Sequence, residues 1–62
     1  METLRELYQF CVETAEKYPE KANEIHSFYD LAEMEVQDEG SESHECELAY
    51  SDIKHLIEES NG

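Results

Sequence analysis

Apolar residues return every three or four positions along this chain in three separate runs. Nowhere do they alternate with polar residues at the period of two that a half-buried strand requires. In the first run Leu4, Leu7, Tyr8, Cys11 and Ala15 share one narrow stripe at about 100° per residue. Thr3, followed three positions later by Glu6, has the form of a capping box, in which a hydroxyl accepts an N–H that the first turn leaves unpaired. Tyr18 precedes Pro19, whose ring disfavours helix in the residue before it, so the first helix should stop near Lys17. Pro19 suits the first position of a second helix because its missing N–H has no partner there anyway, and Glu20 then sits at the positive end of the helix dipole. Ala22, Ile25, Phe28, Tyr29, Ala32 and Val36 make the second stripe, and Gly40 can take the left-handed conformation that ends a helix. Ser41 or Ser43 can cap a third helix, with the stripe Cys46, Ala49, Tyr50, Ile53, Leu56, Ile57 and a natural end at Asn61-Gly62.

The expected fold is therefore all-α: a small antiparallel up-down-up bundle of three helices over about 3–17, 19–39 and 43–59, forming one domain across 1–62. Four large apolar residues miss their stripes. Phe10 lies about 120° from the first, Leu31 and Met34 roughly 120–180° from the second, and Leu48 about 160° from the third. Single exposed apolar residues are ordinary. On 62 residues, however, a chain buries only about 60% of the surface its unfolded form exposes, and a further contact would help it. Phe10, Leu31, Met34 and Leu48 are accordingly expected to form a self-association patch, most simply in a two-fold homodimer.

Charge changes the picture more than composition does. Seventeen acids against four bases give a net charge of −13, which favours solubility and opposes compaction. With 39% apolar residues the chain still carries more core material than a disordered acidic segment does. The acidity is lopsided: the balance is −3 over residues 1–29 and −10 over residues 30–62. From Asp30 to Glu47 there are eight carboxylates and no Lys or Arg. On a helix, the five acids from Asp30 to Glu39 would fall about 3 Å apart, close to the ~3.4 Å between phosphates along one DNA strand.

Little in the sequence points to catalysis. Cys11, His26, His44, Cys46 and His55 are ligand types, but no CxxC or HxxxH pair supports a metal site, and both cysteines fall on core stripes. The acidic stretch lacks the alternating oxygen ligands and central glycine of a calcium loop. Asp52 and His55 are one turn apart, yet such a pair on an open helix face is ordinarily a surface contact. No glycine-rich phosphate loop is present, so the chain is expected to be non-enzymatic, without cofactor or metal. No apolar run is long enough for a membrane span, the N-terminal stretch does not resemble a secretory leader, and two thiols do not make a disulfide scaffold, which together suggest a cytoplasmic protein.

A surface this negative repels nucleic acid and attracts whatever binds it. In charge and size the chain resembles the small acidic DNA-mimic inhibitors made by phages and mobile elements, a resemblance of class rather than of motif. It implies a basic partner surface, such as that of a nucleic-acid-binding protein, met by Asp30, Glu33, Asp38, Glu39, Glu42 and Glu45. The competing expectation is a small homodimeric adaptor working through its apolar patch, with the acids serving solubility alone.

Overall fold

Only half of the capping box expected at the start of the chain forms: Thr3 caps the first turn, but the Glu6 carboxylate meets the Thr3 hydroxyl and not its backbone N–H. In the computed structural model, which describes residues 2–61 and side chains through residue 59, the Thr3 hydroxyl accepts the Glu6 N–H at 3.2 Å and donates to Glu6 Oε1 at 3.1 Å. Helix α1 then runs Leu4–Lys17 and closes where Pro19 forbids its continuation, the Tyr18 N–H donating to the Thr14 carbonyl at 2.9 Å. Pro19 does not open the second α-helix directly, as its sequence position suggested. It opens a single 3-10 turn over Pro19–Lys21, tied by Lys21 N–H to Tyr18 O at 2.9 Å, and α2 follows over Ala22–Gln37. The tighter i→i+3 turn lets the chain reverse within four residues.

The end of α2 corrects a second expectation. The left-handed residue is Glu39, at φ 89°, while Gly40 keeps a negative φ. Gly40 is required for space instead: its N–H donates to Glu35 O at 2.7 Å, and a Cβ there would lie 2.5 Å from that same oxygen. This is the six-to-one bond of a Schellman-type helix end, with the left-handed duty carried by the residue before the glycine. Ser41 takes the N-cap position of α3, its carbonyl accepting the Glu45 N–H at 2.9 Å, and Ser43 lies inside the helix, which runs Glu42–Asn61. The expected stop at Gly62 lies outside the described residues.

Short connections make α2 antiparallel to both neighbours, so α1 and α3 run parallel. The Leu4 N–H donates to Glu42 Oε2 at 2.7 Å, tying the two N-termini together. Leu7, Cys11, Ile25, Ala32, Cys46, Ala49 and Ile53 form the buried core, with Phe28, Tyr29, Leu56 and Ile57 packed against it. The stripes named these residues correctly with two exceptions on α1. Tyr8, counted as core, is 52% exposed and touches Tyr29 edge-on, while Phe10, counted as off-stripe, is half-buried with its ring 4.7 Å from that of Tyr50. A third helix beside α1 widens the sector that can be covered, and Phe10 points to it. Thr14 is buried too, one turn beyond Cys11 on the same face. The molecule measures 34 × 18 × 16 Å, its long axis set by the 20-residue α3.

Candidate partner-binding surface

The antiparallel topology gathers three helix termini at one end: the starts of α1 and α3 and the finish of α2. Carboxylates at the two starts are stabilised by the positive ends of those helix dipoles. Glu6 and Glu42 hold this position and also form the two capping bonds described above. The finish of α2 is different. It has no basic residue in its last turn, and Glu35, Asp38 and Glu39 crowd its negative pole, where each opposes the local dipole.

The six carboxylates expected to form one face separate into three positions. Asp38, Glu39 and Glu42 surround the α2–α3 turn, although Glu42 already gives one oxygen to Leu4. Glu45 lies at the head of the groove between α2 and α3. Asp30 and Glu33 sit on the other flank of α2, toward α1: Glu33 accepts from the Tyr29 hydroxyl at 3.3 Å, and Asp30 is near enough to Cys11 for the thiol to feel its charge.

The apolar candidates also divide. Leu31, Met34 and Leu48 are 57%, 64% and 49% exposed, and Leu31 and Leu48 face each other across the α2–α3 groove. Phe10 belongs instead to a depression of about 330 Å³ between α1 and α3, beside Tyr18, Tyr50 and Ile57, rimmed by Lys17, Lys54 and Glu58. The Lys54 ammonium stands 5.4 Å from the centre of the Tyr50 ring, within cation–π range.

Residue-by-residue selection on the acidic stretch missed Glu35 and Asp52, which line the α2–α3 groove with Glu45. The signal was present: Glu45, Asp52 and Glu59 are seven apart, and a seven-residue interval returns nearly to the same side of a helix.

Other chemistry is muted. Cys11 and Cys46 are free and buried. Burial, and then the charge of Asp30, push the Cys11 thiol up to about 11, and burial followed by Glu42 raises Cys46. Cys11 therefore stays a thiol at neutral pH, its Sγ 3.9 Å from the Ile25 carbonyl. Burial and Glu33 likewise raise Tyr29. Among the described residues no three His, Cys, Asp or Glu side chains converge to hold a metal ion, and no helix is long and apolar enough to cross a membrane. No known family model, curated protein or solved structure matches this chain.

Proposed function

We propose that this protein is a non-enzymatic interaction module whose acidic end docks on a basic surface of a partner protein. In its strongest form it is an inhibitor of the DNA-mimic type, occupying the surface that a nucleic-acid-binding protein offers to phosphates. The observation that carries this reading is the charge at the finish of α2. Glu35, Asp38 and Glu39 stand where the helix dipole disfavours them, and Glu39 holds a backbone conformation that glycine would adopt without strain. A sequence selected only for solubility could place its acids anywhere on the surface. Residues that break a local rule without a stabilising return are the ones to read as functional.

Docking of this kind is fast and falls steeply with salt. Immobilised protein, incubated with native host lysate at low and high salt, should retain basic proteins only at low salt. Replacing Asp38 and Glu39 together with Lys should abolish that retention without loss of helicity. Retention unchanged by the charge reversal would refute the proposal.

Exposure of Leu31, Met34 and Leu48 supports a second reading, a homodimeric adaptor joined through this face. Sedimentation equilibrium would favour it by showing a dimer that Leu31→Glu with Met34→Glu converts to monomer.

A further inference from the structure

The groove between α2 and α3 continues past Leu31 and Leu48. A depression of about 130 Å³, holding both leucines, abuts a second of about 310 Å³, and Phe28 and Asp52 line both. The floor is apolar: Leu31, Leu48, Phe28 and Leu56. The α3 rim carries three evenly spaced acids, Glu45 at its head, Asp52 at its middle and Glu59 at its far end, with His55 between the last two. The first and last are fourteen positions apart, or about 21 Å at 1.5 Å per residue. Glu35 adds a carboxylate to the α2 rim.

We propose that this groove receives one amphipathic helix of a partner protein. The helix lays its apolar face on Leu31, Leu48 and Phe28 and meets Glu45, Asp52 and Glu59 with Lys or Arg recurring every seven residues. The inference rests on the acidic-docking function and specifies the partner's chemistry. Two antiparallel helices leave between them a furrow that a further helix fills by ridge-into-groove packing, completing a four-helix arrangement. The charge pattern selects the occupant. A second copy of this chain seated across a two-fold axis would bring Glu45, Asp52 and Glu59 against their own kind, whereas a cationic helix meets opposite charge along the whole rim.

The test uses a fluorescein-labelled synthetic peptide of about 18 residues, long enough to span the rim, with Leu on one face and Lys at seven-residue spacing. A scrambled isomer of the same composition is the control, and binding is read by anisotropy at low salt. The patterned peptide should bind about ten-fold more tightly than the scramble. Leu31→Gln with Leu48→Gln should remove that advantage, since losing even one anchor of this size costs about ten-fold. Asp52→Lys should weaken both peptides, and Glu13→Gln on α1 should weaken neither. Because both leucines are already half exposed, the variants keep the fold, which circular dichroism verifies. Equal binding of the two peptides, or an advantage that survives the double leucine substitution, overturns the groove proposal while leaving acidic docking intact. Failure of both peptides to bind overturns it as well, and docking itself falls only if salt-sensitive capture from lysate is absent too. A dimer in sedimentation that excess patterned peptide does not dissociate also overturns it, by naming the second copy as occupant.

Discussion

Replacing Glu39 with Gly should make this protein more stable while making it a poorer binder. An L-residue in the left-handed region costs roughly 1–2 kcal/mol, and Glu39 sits there at φ 89°. Glycine removes that strain but brings back about 0.5–1 kcal/mol of unfolded-state entropy. Removing a carboxylate from the negative pole of α2 adds about 0.3–1 kcal/mol in the stabilising direction. The balance is a gain of about 1 kcal/mol, which for a domain of this size raises Tm by about 4–8 °C. Thermal unfolding followed at 222 nm measures it. Glu39→Gln separates the contributions, because it removes the charge and keeps the strain, and should give only about half the gain. If Glu39→Gly melts at or below the parent temperature, the conformational argument is wrong. If Gln and Gly give equal gains, charge alone explains the effect. On the proposed docking function, partner capture by Glu39→Gly should drop as well, because a carboxylate of the docking end is removed.

Gly40→Ala should destabilise by about 1–3 kcal/mol in a urea titration, because its Cβ would lie 2.5 Å from the Glu35 carbonyl oxygen and displace the bond made there. Phe10→Ala should lower stability by about 2 kcal/mol through loss of its packing on Tyr50, with no change in sedimentation, which would separate Phe10 from any association surface. The Cys11 thiol is raised from 9.0 to about 11 in the fold, so its contribution to stability is intact below pH 9 and is lost as pH rises through 11, where the unfolded chain already holds a thiolate. The stability advantage of the parent over Cys11→Ala should shrink across that window, and an advantage that grows with pH would contradict the burial argument.

The architecture was legible because the apolar spacing, the Thr3 cap and Tyr18-Pro19 all act locally and all agree with one fold. Periodicity identified the core except on α1, where Phe10 and Tyr8 exchanged roles and Thr14 is buried as well. Sequence spacing measures angle around one helix and cannot say how wide a sector two neighbours will cover. The turn at Glu39-Gly40 was located correctly but its geometry inverted, since glycine permits both a positive φ and a close approach, and which it supplies depends on where the Glu35 carbonyl lies. The acidic stretch was obvious as composition. Its division into a capping residue, an α1-facing pair and a groove rim depends on tertiary placement, as does the pairing of Leu31 with Leu48. Only the seven-residue spacing of Glu45, Asp52 and Glu59 could have been read beforehand.

The proposed docking surface joins the carboxylates near the α2–α3 turn to the groove that runs from it. The most direct measurement is a titration of isotope-labelled protein with the patterned cationic peptide, followed by amide chemical shifts. Saturable shifts are expected at the groove residues Phe28, Leu31, Leu48, Asp52 and Leu56, fading in step with added salt, while Glu13 and its neighbours on the outer face of α1 stay still. Shifts spread evenly over all three helices, or centred on Phe10 and Tyr50, would contradict it.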